Sequence, residues 1–232
     1  MKFLFYYLAR LSGVKNGEKI VSESFIFDRI DVKGEKPKKP FDECFQEGMG
    51  TELMAPLLYS LVRFLRPQTV LEIGLGYTTP WLAKGIEDNG EIHLDGNADM
   101  NYFKKPYNPQ MICIDDMSDV ESSASKAALA VVKKPFVKLI KGKFQGQSKN
   151  IDRKLDFVWF DCGGSKEYGE FLEEYLHMCS GYLAMHYTYY RGEPNPNYEV
   201  IDRYCSVYNF ERVHMIEPHK YRQGSFCLLR RV

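Results

Sequence analysis

Five places in the chain set chemistry-bearing side chains beside abrupt turns. Residues 69–80, TVLEIGLGYTTP, put one acid, Glu72, inside a short apolar run and follow it with Gly74, Gly76, Tyr77 and the hydroxyl pair Thr78 and Thr79. A second apolar run ends in Asp115 and Asp116, and a third ends at Gly142, Lys143 and Phe144. A fourth ends in Asp161, Cys162, Gly163 and Gly164, and the segment GYLAMHY at 181–187 ends in His186 and Tyr187. A tight glycine turn after a buried strand brings a ligand close to backbone. A carboxylate just ahead of that turn repels a pyrophosphate and suits a cation, such as an ammonium group. An acid closing the next strand is placed to accept hydrogen bonds from a ribose diol. Asp161 and His186 are candidate proton acceptors.

These residues need strands that end together. Apolar runs predict buried strands at 69–73, 111–114, 136–140, 157–160 and 182–185, each breaking into turn residues. Helical spacing predicts a helix from about 55 to Pro67, with Leu57, Leu58, Leu61, Phe64 and Leu65 on its apolar stripe. Further helices are expected at about 79–86, 121–132 and 198–208. In 168–179 the apolar residues Tyr168, Phe171, Leu172, Tyr175, Leu176 and Cys179 recur at helical intervals, with Glu167, Glu170, Glu173 and Glu174 facing away. The strands at 212–216 and 225–229 are too close for a parallel crossover, which needs roughly a dozen residues or more. They should pair as an antiparallel hairpin. The pattern is an α/β, doubly wound, Rossmann-like sheet of seven strands, mostly parallel, with an antiparallel last strand. Residues 1–50 read as an N-terminal helical or lid appendage, with an aromatic helix around Phe3 to Leu11 and a basic loop at 33–40. Residues 51–232 read as the ligand-binding domain. The irregular stretch 87–110 is long enough to be a functional loop.

Composition narrows the function. At 232 residues one α/β domain is expected, and 44% hydrophobic residues suffice for a core. Lys plus Arg and Asp plus Glu both number 31, so no overall field favours a nucleic-acid partner. The six cysteines show no CxxC and no paired histidine spacing, which argues against a zinc site or disulfide framework and for a reducing, cytoplasmic setting. No stretch approaches the roughly 20 apolar residues of a membrane span.

The glycine turn lacks a third glycine: Thr79 stands at that position of a GxGxxG pattern, and Tyr77 adds bulk. With Glu72 before the turn, a pyrophosphate is disfavoured. A ligand with a ribose, no phosphate and a positive charge fits, and S-adenosylmethionine (SAM) has those properties. The ExGxG run, the acid after strand two, the Asp161-Cys162-Gly163-Gly164 turn and the terminal hairpin together resemble the class I SAM-dependent methyltransferases over roughly residues 55–232. Within that class they are most similar to the small-molecule methyltransferases. The resemblance implies that Glu72, Gly74 and Gly76 line the methionine moiety and that Tyr77 and Thr78 also belong to the cofactor site. It implies that Asp115 holds the ribose, with Asp116 as the alternative, and that backbone around Lys143 and Phe144 flanks the adenine. Asp161 would sit near the amino acid or the substrate. The Asp-Asn pair of metal-dependent catechol-type members is replaced by His186-Tyr187, so no metal is expected. The implied activity is methyl transfer to oxygen or nitrogen of a small acceptor, with His186 or Asp161 as base and Tyr187 nearby. An alternative is a SAM-cyclising lyase that forms azetidine-2-carboxylate and releases methylthioadenosine, with SAM as sole substrate. A third is a noncatalytic SAM-binding subunit. SAM, S-adenosylhomocysteine or methylthioadenosine would be the bound species, and a homodimer through the N-terminal helix is expected. Some residues keep a second reading from sequence: Asp115 and Asp116 also suit a helix cap, Asp161 a turn, and His186 a hydrogen-bonded core position.

Overall fold

The computed structural model describes residues 14–15, 18–19, 45, 48, 50–91, 106–217 and 224–232. The expected aromatic helix near Phe3, the strand-like piece at 20–30, the basic loop at 33–40 and residues 92–105 of the long connection lie outside the described residues.

Seven strands make the main sheet: β1 (Thr69–Ile73), β2 (Gln110–Asp115), β3 (Val137–Lys141), β4 (Leu155–Phe160), β5 (Cys179–His186), β6 (Phe210–Ile216) and β7 (Ser225–Arg231). Their order across the sheet is β6-β7-β5-β4-β1-β2-β3. The pairs from β5 through to β3 are parallel, and β7 runs antiparallel to both β5 and β6. The expected hairpin and the mostly parallel sheet are therefore both present. Helices α1 (Met54–Leu65), α2 (Thr78–Glu91) and α3 (Ser123–Val131) cover one face, and α4 (Ser165–Tyr175) and α5 (Pro196–Tyr208) cover the other. With both faces covered, all five residues of β1 are buried, which is why a central parallel strand reads as one apolar run.

Alternation along the strands sorts the two faces. Val70, Met111, Cys113, Phe157, Trp159, Ala184 and Phe226 meet α1–α3, whereas Leu71, Ile73, Ile112, Ile114, Val158, Phe160, Leu183 and Met185 meet α4 and α5. The register between β4 and β5 shifts between the Leu155–Cys179 and Phe157–Tyr182 pairs, so β5 holds one extra residue there. Gly181 sits in that bulge, where a Cβ would lie 2.0 Å from the Asp156 carbonyl oxygen.

Local signals start the helices. Ser122 accepts from the Ser125 amide at 3.1 Å ahead of α3, and Asn195 accepts from the amides of Asn197 and Tyr198 ahead of α5. Three expectations change. Phe64 is 85% exposed, because it lies two residues, about 200°, round α1 from the buried Val62. The periodic run 168–179 is not one helix: α4 ends at Tyr175, a short 3₁₀ turn covers Leu176–Met178, and Cys179 begins β5. The helix expected to stop at 86 runs to Glu91, since its polar residues fasten it to α1. Asn89 donates to the Val62 carbonyl at 2.8 Å, and Asp88 accepts from the Tyr59 hydroxyl at 2.8 Å. No helix among the described residues is long and apolar enough to cross a membrane.

Candidate functional site

The strand order reverses at β1, whose neighbours β4 and β2 follow it in the chain on opposite sides. Ligands of open α/β sheets bind at the carboxyl ends of strands at such a switch point. The candidates from the sequence lie at those ends or just beyond them, with Glu72 one residue inside β1 and Thr78 at the start of α2.

The glycine turn after β1 is closed upon itself. Gly74 holds φ +89°, a left-handed conformation that a β-branched residue resists, and its amide donates to the Ile114 carbonyl at 2.9 Å. The Leu75 amide donates to Asp115 Oδ2 at 2.7 Å, and the Gly76 amide to Thr79 Oγ1 at 3.0 Å. Three successive N–H groups that a phosphate-binding turn would present are thus engaged internally. The turn suits a ligand without phosphate. A Cβ on Gly76 would meet nothing within 4 Å, so the space beside it is open to a ligand.

Glu72 differs from the expectation that it lines the ligand. Its side chain is wholly buried on the α1–α3 face, where Oε1 accepts from Thr78 Oγ1 at 2.7 Å. The same Thr78 oxygen accepts from the Trp159 indole N–H at 3.1 Å, and Cys113 Sγ lies 3.9 Å from Oε2. Burial pushes the Glu72 carboxyl up to about 8, against the opposing hydrogen bonds of Thr78 and Thr79. Burial and the neighbouring Glu72 carboxyl push the Cys113 thiol up as well. Glu72 and Thr78 therefore anchor the start of α2 from beneath, and the surface facing a ligand is loop backbone. Tyr77 is also turned inward: its ring packs edge-on against Phe45 at 6.0 Å and Trp81 at 6.1 Å.

Beyond β2, Asp115 takes the Leu75 amide on one oxygen and the Met117 amide, at 2.6 Å, on the other. Each oxygen retains a second acceptor site. Asp116 is exposed, with Oδ1 accepting from the Ser118 amide at 2.9 Å, and its bonds to Ser118 hold its carboxyl below the usual range. Beyond β3, the Gly142 amide donates to the Asp115 carbonyl at 2.8 Å, tying the two loops together. Lys143 is exposed at that edge. The Phe144 ring instead enters the aromatic core, 5.5 Å from Phe160, so only its backbone can flank a ligand.

The structure brings Asp161 and His186 together. Asp161, just past β4, and His186, the last residue of β5, pair through Nδ1 and Oδ1 at 2.8 Å, with the Asp161 side chain 36% exposed and that of His186 8% exposed. The Trp159 ring lies 5.9 Å from the imidazole, and the Tyr168 hydroxyl donates to the His186 carbonyl. Nε2 of His186 is buried without a hydrogen-bond partner among the described residues. Gly50 lies close over it: a Cβ there would be 3.4 Å from Cε1 and 3.7 Å from Nε2. Tyr187 follows at φ +54°, 42% exposed, with its ring edge-on to the imidazole at 6.2 Å.

Gly50 and Trp159 were not anticipated from sequence. Trp159 has a signal, since it alternates with Phe160 and so shares a face with Glu72; Gly50 has none, because its contact with His186 spans 136 positions.

No protein-family model matches the chain, and no curated protein matches its sequence. Solved structures do match. An O-methyltransferase TomG of Streptomyces achromogenes, involved in tomaymycin synthesis and solved in complex with SAM, is 14% identical over 78% of this chain and 80% of its own, with a TM-score of 0.54. An O-methyltransferase of Bacillus cereus, solved with S-adenosylhomocysteine, is 15% identical over 77% of this chain and 81% of its own, with a TM-score of 0.55. A Podospora anserina methyltransferase, also bound to S-adenosylhomocysteine, is 15% identical over 80% of each chain, with a TM-score of 0.54. At these identities the likeness is one of architecture: the chain has the Rossmann-like fold found in SAM-dependent methyltransferases.

Proposed function

We propose that the protein is a SAM-dependent methyltransferase that acts on oxygen or nitrogen of a small molecule, with His186 as the base that accepts the acceptor's proton. The observation that carries this reading is the Asp161–His186 pair, whose buried Nε2 has no hydrogen-bond partner among the described residues. Asp161 accepts the Nδ1 proton, which fixes the tautomer with a lone pair on Nε2. A buried nitrogen left without a donor costs about 1–3 kcal/mol, so an acceptor hydroxyl or amine donating to it is favoured. When that group reacts, its proton passes to Nε2, and the Asp161 carboxylate stabilises the resulting imidazolium. Tryptophan packing against the ring restricts its rotation and keeps Nε2 aimed.

SAM would supply an electrophilic methyl group on a sulfonium. The backbone of Gly74 to Gly76 would hold its amino-acid portion, Asp115 or the exposed Asp116 its ribose, and the backbone at Lys143 and Phe144 its adenine. The engaged amides of the turn and the open space at Gly76 support a non-phosphate ligand there. The reading is metal-independent, since a histidine stands beside Asp161 where the metal-dependent pattern has an Asp-Asn pair.

Two measurements test it. S-adenosylhomocysteine should bind the wild-type protein in a calorimetric titration, and Gly74→Val should abolish that binding. With methyl-labelled SAM and a panel of small hydroxylated and amino acceptors, S-adenosylhomocysteine should form only when an acceptor is present. His186→Ala should then lower turnover by about 10²–10⁴-fold while S-adenosylhomocysteine affinity is unchanged. Methylthioadenosine released from SAM alone would replace transfer with ring closure, and binding without any product would leave a noncatalytic subunit.

A further inference from the structure

Tyr187 has a backbone conformation that a tyrosine avoids, and its surroundings insist on it. At φ +54° it pays a strain that survives only where neighbouring structure over-determines it. Its amide donates to the Ser225 carbonyl at 2.7 Å. Its carbonyl accepts from two side-chain amides, Asn195 Nδ2 at 2.8 Å and Asn197 Nδ2 at 3.0 Å. The next residues are fixed as well: Ser225 Oγ accepts from the amides of Thr188 at 3.1 Å and Tyr189 at 2.9 Å. Had β5 continued, Tyr187 would point to the face opposite His186. The left-handed turn instead stands its ring edge-on beside the imidazole.

The ring is also the first of a row. Tyr187 tilts against Tyr190 at 6.5 Å, and Tyr190 is 53% exposed. The guanidinium of Arg191 lies 5.2 Å from the Tyr190 ring centroid, presented by a two-residue turn in which Arg191 and Gly192 both have positive φ. Among the described residues Arg191 forms no ion pair. Proton acceptor, two exposed aromatic faces and a cation thus follow one another along a single rigid segment.

Resting on the methyl-transfer reading above, we propose that Tyr187, Tyr190 and Arg191 form the acceptor subsite and select an elongated aromatic acceptor with an anionic tail, while Asn195 and Asn197 are positioning residues that lock Tyr187 beside His186. The reacting hydroxyl faces Nε2, the ring lies on the tyrosines, and the tail pairs with the guanidinium, which suits carboxylates bidentately.

The test uses protein saturated with S-adenosylhomocysteine and two probes of equal shape, 4-hydroxyphenylacetate and its neutral amide 4-hydroxyphenylacetamide, titrated by calorimetry. Wild-type protein should bind the acid at least about tenfold tighter than the amide, and Arg191→Gln should erase that difference. Tyr187→Leu should weaken both probes by about tenfold or more, as should the Asn195→Ala, Asn197→Ala double variant, in which the tyrosine itself remains. Tyr187→Phe should restore wild-type binding of both. S-adenosylhomocysteine affinity and the far-ultraviolet circular dichroism spectrum should not change in any variant. Wild-type protein that binds S-adenosylhomocysteine but neither probe, equal affinity for acid and amide, or an Asn variant that loses only thermal stability would each overturn the proposal. Failure of wild-type protein to bind S-adenosylhomocysteine would instead overturn the methyl-transfer reading beneath it.

Discussion

The two faces of the sheet are built from alternate residues of the same strands, yet they differ in kind. On the α4–α5 face, Phe160 stacks on Phe171 at 4.2 Å, Phe171 on Tyr175 at 4.9 Å, and Phe144 closes the stack edge-on. On the α1–α3 face, the positions next along the same strands are Glu72, Trp159 and His186, joined through Thr78 or by ring contact. The contrast separates two duties within one sheet. Both faces bury apolar residues, but the α1–α3 face alone also hangs these polar groups from the carboxyl ends of the strands. Stability and site chemistry should therefore be separable by mutations one residue apart.

The largest effect is expected from Phe171→Ala. Removing a wholly buried, doubly stacked ring should cost about 3–5 kcal/mol, read as a fall in the urea midpoint. The protein that remains folded should bind S-adenosylhomocysteine as before; a weakened affinity would break the separation. Thr78→Val acts on the other face with almost no change of shape. It leaves the Trp159 N–H and the Glu72 carboxyl without their shared partner, at about 1–3 kcal/mol in chemical unfolding. Here the affinity for S-adenosylhomocysteine should fall as well, since the start of α2 loses its anchor.

Glu72→Gln sharpens the comparison through pH. A carboxyl raised from 4.5 in the unfolded chain to about 8 in the folded one binds its proton more tightly when folded. Its contribution is fully present below about pH 4.5 and is lost as pH rises through about 8. Thermal melts across that window should show the wild-type midpoint falling relative to Glu72→Gln, with the two nearly equal at the acid end. Parallel curves would show that Glu72 keeps its proton no better than an exposed carboxyl.

Much of the frame was legible in sequence because the physics that makes it is local. Most of the buried parallel strands are apolar runs closed by Gly or Asp, and the short connection between β6 and β7 left only an antiparallel pairing. Asp161 and His186 were both visible as candidates. Their pairing was not, because it depends on β4 and β5 lying side by side. The burial of Glu72 was hidden for the same reason. From sequence that residue is a carboxylate before a turn, and only the fold sets Thr78 and Trp159 over it. Asp88 and Asn89 looked like the start of a loop, yet both are buried as the fastening between α1 and α2. Phe64 looked like core, but a stripe of apolar spacing does not say where the stripe ends.

The bulge at Gly181 has a bearing on the far end of its strand. Parallel neighbours keep the phase they are given, so one additional residue near the start of β5 fixes what stands level with what at its finish. With it, Phe160 pairs with Met185, and Asp161 arrives opposite His186. Were the same residues to pair without the bulge, the carboxylate would meet the thioether of Met185, and the imidazole would lie one place outward, away from its partner. The dyad is thus timed from the opposite end of the strand, by a position with no side chain and no part in the chemistry. Loops elsewhere can gain or lose residues without disturbing it; flattening this bulge with every residue kept would shift it by one.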